Sequence, residues 1–447
     1  MIESLIHSMI VCPDMDKDYP RLTYGKGVYV YDEKGKAYLD AAAGSAAVVN
    51  LGYGLAEIAD VMRDQAQKIS VQPAHAFSSP VLENYLKKLT NFAPAGFSRS
   101  WLTMSGTEAV ENAIKLAYQY HQLKGNPSRF KVIGRWKSYH GNSIFTLDIG
   151  GMKSRRQTYN RWMNNFPHIP AAYSYRRPTN QPLAEYSREC SDALEKCILE
   201  EGPDSIAALV IEPVVAAALG AVLPPDEEYL KELRRICTKY DIVMIADEVL
   251  TGFGRLGQNF GMNVWSVEPD IIAAGKGISG GYYPLSAIIA NTKITKVLED
   301  TKTPFLGGHT FACNPLGAAV GSFVIDYLLE NNILHRVNQV GKYLLNKLQR
   351  LDKYDIVGDV RGVGMMFGIE FVKNKNTKEP FPASMRVSKV LGDMAIERGV
   401  ILYPGQGSVD GLNGDHILIT PPLILNECDA DVIVDTLEEC IKNINLK

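Results

Sequence analysis

The chain has 447 residues, 46% of them apolar, which is enough to bury the core of a full-size enzyme in two or three structural units. A formal charge of -3 and the lack of any basic run argue against a surface for nucleic acid or anionic lipid, so the expected partners are small molecules. Seven cysteines without a C-x-x-C pair and eight histidines without an H-x-x-x-H pair suggest neither a disulfide framework nor a metal site, and point to a cytoplasmic protein.

The opening stretch, MIESLIHSMIVCPDMDKDYP, starts with an acidic residue and has no long apolar segment, so it is not expected to be a signal peptide. No 18-residue apolar run follows, and no membrane span is expected. GVYVYDEKGKAYLD reads as a hairpin inside residues 1–50, a segment expected to pack with the C-terminal part of the chain. Strand-like FKVIGRW, IAALVIEPVV, IVMIADEV, DIIAAG and LSAIIAN then alternate with helical periods at 107–123, 226–239 and 314–329. That alternation predicts an α/β fold, a mostly parallel central sheet with helices on both faces. IAALVI and IVMIA are unbroken apolar runs, as expected of strands buried on both sides. Beyond about residue 320 the texture changes to amphipathic helices at 334–351, 384–398 and 428–444, with GVGMMFGIEF and DHILIT as strands between them. The expected division is a large domain over 51–320 and a smaller α+β domain over 321–447, with 1–50 packed against the smaller one.

Within DIIAAGKGISGG, Gly275, Gly277 and Gly280 spell the dinucleotide fingerprint G-x-G-x-x-G. A dinucleotide loop needs its last glycine to open a helix whose N-terminus holds the pyrophosphate. Here GGYYPLSAIIAN follows, and Pro284 with the apolar run behind it predicts a turn and another strand. The glycines are better explained by the residue they surround, Lys276, at the carboxyl end of a buried strand where open α/β sheets place their ligands. Burial there lowers a lysine's pKa toward the nucleophilic neutral amine. A lone lysine would by default reach out to solvent, so its neighbours must decide.

Asp247 ends another buried strand in IVMIADEV, although a single strand-end carboxylate is more often a loop or capping residue. Ser105, Gly106 and Thr107 open a helix, and Ser105 with Glu108 fits the capping box S-x-x-E. The same helix start aims backbone N–H groups and hydroxyls at any phosphate. A phosphate cradle, a strand-end aspartate and a strand-end lysine are together the minimum kit for pyridoxal phosphate: the lysine holds the cofactor as a Schiff base, and the aspartate keeps its ring nitrogen protonated.

With these residues in place, MSGTEAVENAIKLA, SYHG, EPVV, ADEVLTGFGRLG, AGKGISGGYYPL and GGHTFACNPLGAA occur in an order that resembles the class III pyridoxal-phosphate aminotransferases over almost the whole chain. The likeness is to the branch of ω-amino acid and amine:pyruvate transaminases. It implies the fold type I of pyridoxal-phosphate transferases and a homodimer with shared active sites. It also implies a ping-pong transfer of an amino group from an ω-amino acid or amine to a keto acid such as pyruvate. By the same resemblance Lys276 and Asp247 are catalytic; Ser105, Gly106 and Thr107 hold the phosphate; and Thr310 reaches the phosphate from the second subunit. Tyr139, with His140 beside it, stacks on the ring, Val249 presses on the other face, and Glu212 lies beside the cofactor. Without the resemblance, Tyr139 is a core aromatic, His140 a satisfied histidine, Val249 an ordinary strand valine and Glu212 a solvated carboxylate. Decarboxylation, racemisation and intramolecular amino transfer use the same residues, and a non-catalytic cofactor-binding protein would need neither Lys276 nor Asp247.

Three features depart from the family. YPGQGSVDGLNGDHILITPP contains no arginine where many relatives clamp the substrate carboxylate, Arg361 reads as structural, and Arg176 and Arg177 have no evident place. Ser45 and Ala46 are small where an aromatic residue is common, which predicts extra room beside the cofactor. Ala216 stands where relatives often have glycine.

Overall fold

A computed structural model describes residues 19–446. The opening stretch read against a signal peptide therefore lies almost wholly outside the described residues, and Cys12 with it.

The central sheet has seven strands, in the spatial order Phe97–Thr103, Ser286–Asn291, Ile271–Ala274, Val243–Glu248, Ile206–Ile211, Lys131–Arg135 and His168–Ile169. Only Ser286–Asn291, the strand after Pro284, runs antiparallel to its neighbours. Every residue of Ile206–Ile211, Val243–Glu248 and Ile271–Ala274 is buried. The alternation of side chains across a strand divides them between two cores. Leu209, Ile211, Met244 and Ala246 pack with Leu194, Leu230 and Leu233 of the helices Leu183–Glu201 and Glu228–Lys239. Ala208, Val210, Val243 and Ile245 face the other way, onto Ala113, Ile114 and Ala117 of the helix Gly106–Leu123.

Two smaller sheets complete the molecule. Leu22–Lys26, Tyr29–Asp32 and Ala37–Asp40 form a meander, and Ala37–Asp40 pairs in parallel with Val400–Ile401 from the far end of the chain. The third sheet is antiparallel, in the order Val357–Val363, Met366–Phe371, Asp415–Ile419, Tyr403–Gln406. GVGMMFGIEF, read as one strand, is the turn and second half of a hairpin, because Gly364 takes a φ of +58° between two strands. The helix Pro315–Glu330 runs unbroken through residue 320 and packs on Ala56–Lys68 and Pro80–Phe92 as well as on Ile333–Gln349. We propose that the division falls after this helix, since a cut at 320 would split one apolar face. A single core cluster joins Leu102 and Ile272 of the large sheet to Phe367 and Leu437 of the C-terminal part. Among the described residues no helix is long and apolar enough to cross a membrane.

Candidate active site

The parallel strands end together on one edge of the sheet. Ile211 pairs with Ala246 and Asp247 with Ala273, so Glu212, Asp247 and the turn holding Lys276 leave three neighbouring strands at nearly the same level. The helix Gly106–Leu123 begins on the same edge, behind Phe97–Thr103. A cavity of about 140 Å³ opens there, lined by Gly106, Thr107, Tyr139, His140, Gly141, Glu212, Val214, Asp247, Val249, Leu250, Thr251 and Lys276.

The three fingerprint glycines serve close passage of the chain. Gly275 passes so near Val249 that a Cβ would lie 3.2 Å from its Cγ1, and a Cβ on Gly277 would collide with Asn50 Nδ2. Gly280 ends the short 3₁₀ turn Lys276–Ser279 with a φ of +61°. Lys276 itself has a φ of +46°, sparsely populated for a residue with a Cβ. Its ammonium makes no hydrogen bond or ion pair among the described residues. Burial pulls its pKa from 10.5 down to about 8, against the opposing pull of Asp247 and Glu212, and the Arg255 charge adds to the lowering.

Asp247 is buried at the end of its strand. One carboxylate oxygen accepts from the Val249 N–H at 3.1 Å and the other lies 2.8 Å from His140 Nδ1. The Nε2 of His140 has no partner among the described residues, which suits a tautomer with the proton on Nδ1 donating to Asp247. Glu212 accepts from the Tyr139 N–H at 2.9 Å and from the Ala216 N–H at 3.4 Å, and burial raises its pKa. Ala216, which stands where relatives often have glycine, thus contributes a donor through its backbone. The Tyr139 ring is half-buried and carries the Arg155 guanidinium 5.0 Å from its centroid.

Ser105 caps its helix by accepting from the Glu108 N–H at 3.3 Å, but the Glu108 carboxylate reaches back to the Met104 N–H at 2.9 Å. The capping box is therefore closed one residue early, leaving the Ser105 N–H outside it. Gly106 is glycine because a Cβ would lie 2.6 Å from Val249 Cγ1. Thr107 Oγ1 accepts from the Asn142 N–H at 3.2 Å, so its own proton is free to be donated. An 18-residue helix starting here adds a partial positive charge at the cavity.

Thr310 is exposed and does not line this cavity. Arg361 is committed to Asp359 and Glu370 at 2.7 and 3.2 Å, Arg176 to Glu370 at 2.7 Å, and Arg177 to backbone carbonyls. None of the three is free to take a substrate. Ser45 is exposed, Ala46 is buried against Val214 and Leu250, and neither lines the cavity. One contributor went unread: Arg255, fully buried, bonds Asn50 at 2.6 Å and the Met365 carbonyl at 3.0 Å, and Asn50 also holds the Phe253 carbonyl. The motif ADEVLTGFGRLG contains this arginine, and a charge inside an apolar, glycine-rich run was the available signal.

A mostly parallel sheet whose ends gather a lysine, two buried carboxylates and a helix N-terminus has the architecture of an amino-group transferase. The family model for class III aminotransferases matches residues 15–441, and the chain belongs to that family. It is 36% identical over 425 residues to an aminotransferase of Schizosaccharomyces pombe, covering 94% of this chain and 92% of that one. It is 33% identical over 426 residues to the putrescine–pyruvate aminotransferase of Pseudomonas aeruginosa, covering 94% and 90%. The structure of the ω-transaminase of Pseudomonas jessenii in complex with PMP superposes with a TM-score of 0.89 at 28% identity, covering 95% of this chain and 92% of that one. The protein is an aminotransferase, and its family acts on small amines and keto acids.

Proposed function

We propose that the protein binds pyridoxal phosphate in the strand-end cavity and moves an amino group from a terminal or near-terminal carbon of an amine or ω-amino acid to pyruvate. The observation that carries this reading is the unpartnered, half-buried Lys276 amine beside Asp247 and Glu212, at the end of a cavity that begins at a helix N-terminus. The donor set fits the cofactor. Gly106 and Thr107 offer N–H groups and a free hydroxyl proton for a phosphate, and Tyr139 and Val249 offer flat and branched apolar surfaces for a ring.

When bound, this cofactor supplies an aldehyde that takes up amines and a ring that withdraws electrons from the carbon being deprotonated. Asp247 is the residue to hold the ring nitrogen's proton, and His140 keeps that carboxylate in place. Lys276 Nζ, whose pKa burial lowers to about 8 and so toward the neutral amine, is the group placed to take the proton from the donor Cα and to give it back to the cofactor carbon that receives the amino group. Glu212 stays fixed by two backbone donors rather than moving. The putrescine–pyruvate specificity named for the Pseudomonas aeruginosa relative supports the choice of donor and acceptor. Support for a homodimer comes from the apolar side chains exposed around Thr310, Leu306 and Phe311 among them.

The test is a panel of ω-amino acids, monoamines, diamines and α-amino acids, each added without acceptor. Donors with a terminal amine are expected to convert the bound cofactor to its amino form, read by absorbance, and pyruvate to reverse it. Exclusive use of one α-amino acid with 2-oxoglutarate would overturn the donor and acceptor assignment.

A further inference from the structure

A second and larger cavity, of about 360 Å³, is lined by Lys137, Met152, Lys153, Ala218 and the glycine-rich loop Gln406 to Gly411, and shares no lining residue with the strand-end cavity. The two cavities are built from the same segments. Lys137 and Tyr139 belong to one turn after Lys131–Arg135, and Val214 and Ala218 to one stretch after Ile206–Ile211.

Lys137 is held firmly in the wall. Its φ is +62°, its N–H donates to the Gly151 carbonyl at 3.0 Å, and its ammonium donates to the Val409 carbonyl at 2.7 Å, 5.7 Å from the Tyr173 ring centroid. No carboxylate pairs with it among the described residues. The nearby acids are committed elsewhere. Asp410 accepts from the N–H groups of Leu412 and Asn413 and from the Asn413 side chain, and Glu370 is shared by Arg176, Arg361 and Tyr173. Lys153, exposed on the same wall, makes no ion pair among the described residues and adds a second positive charge.

A half-buried ammonium with one hydrogen bond and two donor positions unused is costly unless an anion completes it. Burial accordingly lowers the Lys137 pKa, and the Arg176 and Lys153 charges lower it further. The loop that covers this cavity carries no arginine, and Arg176, Arg177 and Arg361 are all committed.

We infer that the substrate carboxylate binds in the 360 Å³ cavity on the ammonium of Lys137, with Lys153 as the outer cation, while the amino end lies in the strand-end cavity. The inference rests on the proposed transamination of donors with a terminal amine, and it names their class: ω-amino acids whose carboxylate reaches into the second cavity. An ammonium is a point charge that accepts a carboxylate from several directions, without the fixed fork of a guanidinium, so donors of several chain lengths are accepted.

Two measurements test this. Pentanoate, a carboxylate with no amine to transfer, is titrated by calorimetry into the cofactor-loaded wild type and into Lys137→Met, Lys137→Gln and Lys137→Arg. In the same proteins the ratio of kcat/KM for 5-aminopentanoate over pentylamine is measured in the half-reaction. Loss of a charge-assisted hydrogen bond is expected to weaken pentanoate binding and lower that ratio by about 10- to 100-fold in the Met and Gln variants, with much of both restored by Arg. Two neutral replacements guard against one variant that folds poorly. Unchanged pentanoate affinity and an unchanged ratio would overturn the inference and leave transamination standing. Pentanoate binding that depends on Lys137, with no amine converting the cofactor, would uphold the anion site and remove the proposed reaction.

Discussion

The Nδ1 of His140 lies 2.8 Å from a carboxylate oxygen of Asp247, and both side chains are buried. The second oxygen of Asp247 takes a backbone N–H, so the carboxylate is fixed at both ends. If Asp247 holds the cofactor's ring nitrogen, as proposed, Asp247→Asn removes the charge but keeps the shape. Turnover is expected to fall by about 10² to 10³, the loss typical of one preorganised electrostatic partner. His140→Gln, which weakens only the support, is expected to cost about 10- to 100-fold, as loss of an orienting partner commonly does. Steady-state kinetics on both variants, with cofactor content measured by absorbance, checks the order; a His140 variant worse than the Asp247 variant would contradict it.

The depressed pKa of Lys276 gives a pH dependence whose sign is fixed. Below about 8 the native state carries a desolvated ammonium; between about 8 and 10.5 the native state has released a proton that the unfolded chain still holds. The contribution of Lys276 to stability therefore rises with pH across that window. The neutral amine is also the form that attacks an aldehyde. Apoprotein is expected to capture added pyridoxal phosphate at a rate that climbs with pH and levels off just above 8. A midpoint near 10.5, the value for a solvated lysine, would show that burial does not tune this residue. Lys276→Ala is expected to bind the cofactor noncovalently and to lose turnover.

Much of this arrangement was legible along the chain, because strands buried on both sides leave unbroken apolar runs whose last residues mark the ligand edge. Asp247 and Lys276 stand out for that reason. The partners of these residues did not stand out. His140 meets Asp247 across 107 residues, and Arg255 meets Asn50 across 205. Such contacts depend on strand order and rotamer, which no local pattern carries. The inward packing of Ala46 is hidden for a different reason. Ala43, Ala46 and Ala47 all have positive φ, and the turn they make folds Ala46 inward onto Val214 and Leu250. Alanine gives no warning of such a backbone, as glycine would.

The glycines around Lys276 make a separate expectation. Gly277→Ala places a methyl group against Asn50, whose side chain bonds the Phe253 carbonyl and the Arg255 guanidinium. Overpacking of this kind costs about 1–3 kcal/mol. Gly280→Ala forces a left-handed conformation at φ +61°, at about 1–2 kcal/mol. Urea unfolding of both variants measures these losses, and the Gly277 variant should also shift the pH midpoint of cofactor capture because it moves the lysine's support. Wild-type stability in both would mean that the glycines are dispensable to the turn.

Thr310 sits outside the cavity of its own chain, exposed, in a segment where Leu306 is 71% and Phe311 46% exposed. A single subunit gives this threonine nothing to do, whereas apolar side chains left in water beside it suit an interface with a second copy. The proposal that Thr310 completes the phosphate site of the partner leads to a complementation experiment. Subunits with Thr310→Ala retain Lys276, and subunits with Lys276→Ala retain Thr310. In a mixed dimer one site has both residues intact and the other has neither. Random mixing of equal amounts makes half the dimers mixed, so activity should return to about a quarter of wild type above the residual of the Thr310→Ala homodimer, as two-fold symmetry requires. If Thr310 served its own chain, every site in a mixed dimer would carry one substitution, and mixing would give only the average of the two parents.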